Sequence, residues 1–262
     1  MELNLAGRMA LVTGAHRGTG RAIAAALAQE GVKVWLHGFD TTATEAACDG
    51  IPGARPLVNA LDSDAAVAEL VAVLGDSPLD ILVNNYGRAS RGALSPFKEA
   101  AWLEMYEVNV LSAARLSSAL LPKLRASQAG RIIHLGTIGS TKPAAENPHY
   151  YAAKGALATL TVSMAQALAG TGVRVNLVAP GIIRTDEVVE MLTARAAKAG
   201  LATDWSSVEA HATRHWYPNL LGRLAEREEV ADLVTFLASD RAAFLHGPRT
   251  AGTEHCSPVA HR

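Results

Sequence analysis

Tyr150 and Lys154 are the residues of this sequence whose types and spacing could move a proton. Residues four apart on a helix project from one face with Cβ atoms roughly 5–6 Å apart, so the ammonium would lie beside the phenol. A free tyrosine titrates near about pH 10, and an adjacent positive charge favours the phenolate and lowers the pKa toward neutral pH. A surface pair on an ordinary helix has the same spacing, so the other motifs must decide between the two interpretations.

The composition limits the classes of function. The chain has 262 residues, 49% of them hydrophobic, and a formal net charge of −1. Its Lys and Arg residues are scattered, which argues against a nucleic-acid groove or a polybasic membrane anchor. Cys48 and Cys256 lack metal-ligand spacing, so we expect incidental thiols and no metal site. Neither a signal peptide nor a membrane-spanning apolar stretch is recognisable, and the sequence predicts a cytoplasmic protein.

A glycine-rich segment follows a short apolar run at residues 9–13. Gly14, Gly18 and Gly20 are spaced G-x-x-x-G-x-G, and an alanine-rich helix continues through Gln29. Glycines permit a tight turn and let the backbone approach a pyrophosphate, which would lie at the helix N-terminus, where amides and dipole favour an anion. We interpret the segment as a phosphate cradle; a merely structural turn is the alternative.

Two residues bear on which nucleotide this cradle would hold. An acid at the end of the second predicted strand, residues 32–37, would bind the adenosine ribose hydroxyls and repel a 2′-phosphate. Asp40 lies slightly late for this role, whereas Arg17 in the glycine loop could bind a 2′-phosphate bidentately. The residues therefore favour NADP over NAD. The alternative is a solvated Arg17 and an Asp40 that caps the next helix.

Strands and helices alternate along the chain. Further strands are predicted at residues 54–59, 79–83, 131–135 and 173–178, and further helices at 41–49, 65–74, 101–126, 150–168 and 223–239. This alternation, with right-handed crossovers, predicts an α/β fold: a doubly wound, Rossmann-like parallel sheet in a three-layer arrangement. No linker or repeat divides it, so we expect a single domain over residues 1–262.

Asparagines occupy two informative positions. Asn85 and Gly87 follow the fourth predicted strand, where a side-chain amide can tie neighbouring loops together and line a cofactor crevice. An ordinary turn is the alternative there. Asn109 lies in the apolar middle of the helix at 101–126 and needs a partner. That partner is either a neighbouring backbone group or a water in a proton path.

A hydroxyl follows the fifth predicted strand. Thr137 precedes Tyr150 by thirteen residues, so a hydroxyl at a strand tip and a phenol at the start of the next helix could converge on one substrate oxygen. Ser140 and Thr141 lie nearby, and spacing alone does not exclude them.

Residues 185–219 form a long segment, polar in places, with aromatic and imidazole side chains: Trp205, His211, His215, Trp216 and Tyr217. This composition fits a mobile substrate lid. We interpret the histidines as solvent-facing rather than as metal ligands.

These motifs together closely resemble the short-chain dehydrogenase/reductase family, in its compact single-domain branch, over about residues 5–245. The resemblance rests on the run at residues 13–20, Asn84-Asn85-x-Gly87, Asn109, the Tyr150/Lys154 pair, and Pro180-Gly181 with Thr185. It implies hydride transfer between the nicotinamide of NAD(P) and a carbonyl carbon. Homodimers or homotetramers are a family expectation.

The resemblance also implies roles for individual residues. Tyr150 would be the general acid in reduction and the base in oxidation. Lys154 would lower the pKa of Tyr150 and bind the nicotinamide ribose, Thr137 would hydrogen-bond the substrate oxygen, and Asn109 would hold a proton-relaying water. Cofactor contacts are implied for the remaining motif residues: Gly14, Gly18 and Gly20 with the pyrophosphate, Asn85 and Gly87 in the cleft, Pro180 and Gly181 after the sixth strand, and Thr185 at the carboxamide.

Four departures from the family pattern stand out. Thr137 replaces a serine, and its extra methyl group restricts rotation. Tyr86 stands where the family usually has alanine, beside the cofactor, and Ala60 replaces an aspartate that usually helps hold the adenine end. The C-terminal tail at 246–262 is atypical: Pro248 lacks a ladder donor, so a regular seventh strand is doubtful there.

The sequence therefore predicts an NAD(P)-dependent oxidoreductase that acts on a carbonyl or secondary alcohol of a small to mid-sized apolar molecule. A cofactor-binding or regulatory protein without turnover is the alternative, motivated by the departures. A dehalogenating relative that forms epoxides is a third, and Lys154 and the glycine loop count against it.

Overall fold

A computed structural model describes residues 2–90, 92–247 and 249–251. Parallel strands form one seven-stranded sheet in the order β3-β2-β1-β4-β5-β6-β7. They are β1 (Met9–Val12), β2 (Lys33–Gly38), β3 (Arg55–Val58), β4 (Ile81–Asn84), β5 (Arg131–Leu135), β6 (Arg174–Ala179) and β7 (Arg249–Ala251). The strand order reverses between β1 and β4, which confirms the doubly wound topology and leaves a crevice at their carboxyl ends.

The central strands are apolar because helices cover both faces of the sheet. β1, β4 and β5 are buried along their whole length, as parallel strands in such folds are. On one face, Ile23 and Leu27 of α1 (Gly18–Gln29) share a buried cluster with Val234 of α9 (Arg227–Ala238). Each such side chain stabilises the fold by about 1.5–3 kcal/mol when it is fully buried.

A second set of helices covers the opposite face. α3 (Asp64–Leu74), α5 (Ser112–Ala126) and α6 (Pro148–Ala167) contribute Leu70, Leu116 and Ala165 to one buried cluster there. The three-layer arrangement that the alternation predicts is therefore confirmed. Among the helices of the described ranges, none is long and apolar enough to cross a membrane.

The helix predicted over 101–126 is not regular. α4 (Glu99–Tyr106) passes into a π-helical turn, Glu107–Leu111, before α5 begins. The amide of Asn109 lies inside this turn, and its Nδ2 donates to the carbonyl of Met105 at 3.0 Å and to that of Arg88 at 2.9 Å. π-turns are frequent at functional sites, and this one delivers a buried polar side chain to the crevice.

The doubt about a seventh strand is a prediction that proves wrong. β7 pairs in parallel with β6, with Thr250 opposite Val178. The strand begins directly after Pro248 in the sequence and lies at the sheet edge, where only one side of a strand needs ladder partners. His246 leads into it, since its Nδ1 accepts from the amide of Val175 at 3.2 Å. The rest of the tail, residues 252–262 with Cys256, lies outside the described residues.

The segment predicted as a lid is largely helical. It contains α7 (Asp186–Lys198), α8 (Trp205–His211) and a second π-turn, Ala212–Trp216. Leu192 and Ala196 of α7 pack against Val208 of α8 in a small buried cluster of their own. The remaining helix, α2 (Thr41–Cys48), follows β2.

Candidate active site

The glycine loop lies at the carboxyl end of β1, beside the switch point of the sheet. Gly14 and Gly18 adopt the left-handed conformation, with φ of +59° and +56°. A Cβ on Gly20 would lie 2.5 Å from Nδ2 of Asn85 and 2.6 Å from the carbonyl oxygen of Gly14, so no side chain fits there. The N-cap residue of α1, Arg17, makes no capping hydrogen bond with its side chain, and the first turn of the helix holds no acidic residue. The amides of that turn suit a phosphate.

Asn85 holds this loop against the end of β4. Its Nδ2 donates to the carbonyls of Thr13 and Gly14 at 2.9 and 3.2 Å. The amide of Tyr86 donates to the Thr13 hydroxyl at 2.9 Å. The predicted role of a strand-end amide that ties neighbouring loops is thus what the contacts show.

The two residues that bear on the 2′-phosphate behave differently. Asp40 caps α2, because its side chain accepts from the amide of Ala43 at 2.8 Å, which is the alternative that the sequence left open. Arg17 extends from the glycine loop, and its Nη1 lies 3.3 Å from Oε1 of Glu187 at the start of α7. The two side chains remain 74% and 66% exposed, so the pair is weak and leaves Arg17 able to bind a phosphate.

His37 is a site residue that the sequence analysis missed. It is fully buried near the end of β2. Its Nδ1 accepts from the amide of Gly14 at 3.2 Å, and its Nε2 lies 3.0 Å from the carbonyl oxygen of Asn59. These partners assign the tautomer with the proton on Nε2. Burial lowers the pKa of His37 to about 4, so the ring is neutral at pH 7 and links the glycine loop to the end of β3.

An aromatic cluster lies beside this histidine. The ring of Phe39 lies 4.9 Å from that of His37 and 4.5 Å from that of Tyr86. Tyr86 therefore packs toward the end of β2 and helps form the side of the crevice nearest the glycine loop. Tyr86 is larger than the alanine usual at this position, and its ring packs against Phe39.

Thr137 and Tyr150 meet on the floor of an adjoining cleft. The pKa of Tyr150 is raised to about 12, chiefly by burial and to a lesser extent by nearby Tyr151, while a side-chain hydrogen bond with Thr137 acts in the opposite direction. The sequence analysis expected a lowered pKa from Lys154. That expectation is wrong for this structure, because the loss of water around the buried phenol raises its pKa by more than the hydrogen bond with Thr137 lowers it.

Lys154 is itself deeply buried, at 5% exposure. Its Nζ donates to the carbonyl of Leu135 at 2.8 Å, and burial lowers its pKa to about 8. A Cβ on Gly87 would lie 3.0 Å from this Nζ and 2.7 Å from Oδ1 of Asn109. Lys154 and Asn109 therefore meet at Gly87, and the buried Oδ1 of Asn109 has no hydrogen-bond partner within the described ranges.

Three further hydroxyl residues that the sequence offered as candidates make local hydrogen bonds. The hydroxyls of Ser140 and Thr141 donate to the carbonyls of Thr137 and Ile138 within a short 3₁₀ turn, so both serve local structure. Thr185 caps α7, and its hydroxyl accepts from the amide of Val188 at 3.3 Å.

Two further motif residues lie at the end of β6. The carbonyl of Pro180 accepts from the amide of Ile138 at 2.9 Å, which joins the loops after β5 and β6. Gly181 lines the cleft.

A cleft of about 1320 Å³ opens above Thr137 and Tyr150. One wall is the loop that follows β5, and the other is formed by α7 and the second π-turn. Aromatic and apolar groups line much of it: Ile138, Pro143, Tyr151, Ile182, Met191, Trp216, Tyr217 and Pro218. His149, another residue that the sequence analysis missed, supports the rim, with Nε2 3.0 Å from the hydroxyl of Ser90.

The chain matches the model of a known protein family. The model of the short chain dehydrogenase family matches residues 8–196, which include the glycine loop, Asn109 and the Tyr150/Lys154 pair. The chain belongs to the short-chain dehydrogenase family. Membership makes it an NAD(P)-dependent oxidoreductase, as the sequence analysis predicted.

Individual short-chain dehydrogenases are similar over nearly the whole chain. The 3-oxoacyl-[acyl-carrier-protein] reductase FabG of Vibrio cholerae is 38% identical, with 94% of this chain and 95% of that protein covered. The uncharacterized oxidoreductase YvrD of Bacillus subtilis is 35% identical, with the same coverage.

Solved structures extend the comparison to bound molecules. L-sorbose reductase from Gluconobacter frateurii, complexed with NADPH and L-sorbose, superposes with a TM-score of 0.90 at 26% identity, covering 99% of this chain and 100% of that one. A 3-oxoacyl (acyl-carrier-protein) reductase from Agrobacterium tumefaciens C58 with NADP bound gives 0.86 at 30% identity, with 97% and 96% covered.

The crevice fits such a dinucleotide on its own geometry. The uncapped start of α1 offers amides for the pyrophosphate, and Gly20 leaves no side chain in the way. The unpartnered Oδ1 of Asn109 offers an acceptor next to Lys154. Within the described ranges, no group of three or more His, Cys, Asp or Glu residues could hold a metal ion.

Proposed function

We propose that this short-chain dehydrogenase reduces the carbonyl group of a small to mid-sized, largely apolar molecule, or oxidises the corresponding secondary alcohol, with Tyr150 as general acid or base. The observation that carries the proposal is the hydrogen bond between Thr137 and Tyr150 on the floor of the cleft. Two hydroxyls that meet at one point can both bind a single substrate oxygen.

The side chains divide the work of reduction among them. The nicotinamide cofactor, when bound, supplies the hydride to the carbonyl carbon. Thr137 orients the carbonyl oxygen, and Tyr150 transfers its proton to that oxygen, so that the carbonyl becomes an alcohol. A phenol whose pKa is raised to about 12 is fully protonated at neutral pH, which suits a proton donor.

Lys154 and Asn109 would restore the proton of Tyr150. Lys154 has a pKa lowered to about 8, close to neutral pH, so its ammonium can release and regain a proton readily. Asn109 offers an unpartnered Oδ1 beside it, where a water could bind. Together they would form a path between Tyr150 and solvent.

NADP is the cofactor that we propose this chain prefers. Gly14, Gly18 and Gly20 would hold the pyrophosphate, and Arg17 would bind the 2′-phosphate after leaving Glu187. Asn85, Gly87, Pro180, Gly181 and Thr185 would supply further cofactor contacts. The solved relatives described above with NADPH or NADP support this choice.

The relatives suggest two starting classes of substrate. FabG proteins are named for 3-oxoacyl groups on acyl carrier protein, and the Gluconobacter enzyme binds L-sorbose. The apolar and aromatic lining of the cleft favours an acyl-like body over a sugar. We also propose a homodimer or homotetramer, a lid function for residues 185–219 and a cytoplasmic location.

A cofactor titration followed by a ketone screen tests the proposal. Nicotinamide fluorescence during titration with NADPH and with NADH should show tighter binding of NADPH. NADPH consumption is then measured with a 3-oxoacyl thioester, L-sorbose and a series of simple ketones. Binding without consumption across this series would favour the regulatory alternative, and binding of neither nucleotide would overturn the enzyme assignment.

A further inference from the structure

The wall of the cleft formed by α7 carries positive charge. Met191, Ala194, Arg195 and Lys198 line the cleft from one face of this helix, at spacings that bring side chains together on a helix surface. The other face of α7 is held in place by Leu192, which is fully buried. The orientation of the cationic side chains toward the cleft is therefore set by packing.

The cationic residues that line the cleft outnumber its carboxylates. Three cationic residues line the cleft, Arg195 and Lys198 on α7 and Lys142 on the opposite wall, and Glu146 is the one carboxylate among the described lining residues. The chain as a whole has a net charge of −1. Within the described ranges, Arg195 and Lys198 form no ion pair with a carboxylate.

Arg195 is held by an aromatic ring rather than by an acid. Its guanidinium carbon lies 4.4 Å from the centroid of the Trp216 ring, and the ring of His211 meets Trp216 edge-on at 4.9 Å. Stacking fixes the plane of the guanidinium but uses none of its N–H groups. Those donors match the planar, bidentate geometry of a carboxylate or phosphate.

We propose that the substrate of this enzyme carries an anionic group, a carboxylate or a phosphate, which Arg195 and Lys198 bind at the end remote from the reacting carbonyl. The inference rests on the proposed function and narrows its substrate class. Met191 and Lys198 are about 10 Å apart along α7 at 1.5 Å per residue. The cleft of about 1320 Å³ leaves room for a chain of several carbons between the two ends.

The same residues have a competing structural explanation. Arg195 and Lys198 lie in the last turn of α7, where cations interact favourably with the helix dipole. α5 provides a matched control, because Arg125 occupies its last turn, is exposed, and is not among the residues that line the cleft. Arg125→Ala removes a dipole interaction of the same kind without touching the proposed anion site.

The test compares one ketone with and without a charge. NADPH consumption is measured with 7-oxooctanoate and with its methyl ester, and the quantity of interest is the ratio of the two KM values. In the wild type, the ester KM should exceed the carboxylate KM by about tenfold. Arg195→Ala and Lys198→Ala should each reduce this ratio several-fold, whereas Arg125→Ala should leave it at the wild-type value. The matching ketoalkyl phosphate shows which anion is preferred.

The outcomes separate this inference from the proposed function. A wild-type ratio near one, or a ratio that Arg195→Ala leaves unchanged, overturns the anion site while the enzyme assignment stands. If no ketone is reduced, the proposed function fails, and calorimetric titration with hexanoate and hexanamide decides the anion site by itself. Hexanoate binding that is stronger than hexanamide binding and weakened in Arg195→Ala supports it, and equal binding of the two overturns it.

Discussion

The two ends of the active site are built in different ways. The cofactor end consists of the loop between β1 and α1, and its shape is set by the backbone. Its glycines adopt left-handed conformations, its carbonyls accept hydrogen bonds from Asn85, and one of its amides donates a hydrogen bond to His37. The substrate end is a wall made of α7 and the second π-turn, and its character is set by side chains such as Arg195 and Trp216. The cofactor end can therefore be shared by many enzymes, while the substrate end can differ between them.

The largest expected effect comes from removing the group that lies between the two ends. Tyr150→Phe should reduce turnover by roughly 10²–10⁴-fold or more, because a general acid–base group is lost. NADPH affinity, measured by nicotinamide fluorescence, should change little because the glycine loop is untouched. Undiminished turnover would show that another residue supplies the proton.

A methyl group at Gly20 should break the cofactor end alone. In Gly20→Ala the new Cβ would lie within 2.6 Å of a backbone oxygen, so the loop must shift. We expect a loss of stability of about 1–3 kcal/mol and a loss of NADPH binding by at least about tenfold, measured by denaturant unfolding and fluorescence titration.

Gly155→Ala provides the control for that variant. Among the described residues, a Cβ there would meet only the carbonyl of Ser140, at 3.9 Å, in a helix where alanine is favoured over glycine. This variant should be as stable as the wild type or more so. Equal stability losses in the two glycine variants would contradict the steric argument.

Acid should loosen the cofactor end through His37. The pKa of this histidine is about 4 in the folded chain against an ordinary 6.5, so the unfolded state binds more protons between these values. The contribution to stability is present above pH 6.5 and is lost as the pH falls toward 4, by about 2 kcal/mol at pH 5. Chemical unfolding of the wild type from pH 7 to 5 measures this slope.

His134 is a second buried histidine that should contribute to the same dependence of stability on pH. It is fully buried in β5, and burial lowers its pKa to about 4 as well. Replacing His37 by glutamine should therefore remove about half of the acid sensitivity, and double replacement should remove most of it. A slope that is identical in His37→Gln and the wild type would refute the assignment of a neutral, buried ring.

A smaller effect at the cofactor end is expected from replacing Arg17, which should alter the preference for NADPH over NADH. Arg17→Ala should weaken NADPH binding by about tenfold and leave NADH binding nearly unchanged, since only NADPH has the 2′-phosphate. Glu187→Gln releases Arg17 from its ion pair and should leave NADPH affinity equal or raise it. Parallel losses for both nucleotides in Arg17→Ala would place the arginine elsewhere than at the 2′-phosphate.

The smallest effect is expected at the floor of the cleft. Thr137→Ser keeps the hydroxyl that hydrogen-bonds Tyr150 and removes a methyl group, so kcat/KM for a reduced ketone should stay within about threefold of the wild type. Thr137→Val keeps the shape and removes the hydroxyl, and it should cost far more. A large loss in the serine variant, with folding intact, would contradict the proposed role of Thr137.

The sequence by itself determined the features that depend on local pattern. Apolar runs marked β1, β2, β4, β5 and β6 to within a residue or two, because strands with both faces covered by helices are largely apolar. β3 is mostly exposed, and the turn that precedes it marked its position. The glycine spacing defined the loop since only glycine adopts its backbone angles freely, and the four-residue separation placed Tyr150 and Lys154 on one helix face.

Only the tertiary structure decided the features that depend on distant neighbours. Burial, which no local pattern encodes, set the direction of the pKa of Tyr150 and made His37 a neutral link between the glycine loop and β3. β7 pairs with β6, a strand that lies about seventy residues earlier in the chain, so the local sequence does not reveal its partner. The stacking of Arg195 on Trp216 likewise joins residues on separate helical segments, because packing of α7 against α8 brings them together.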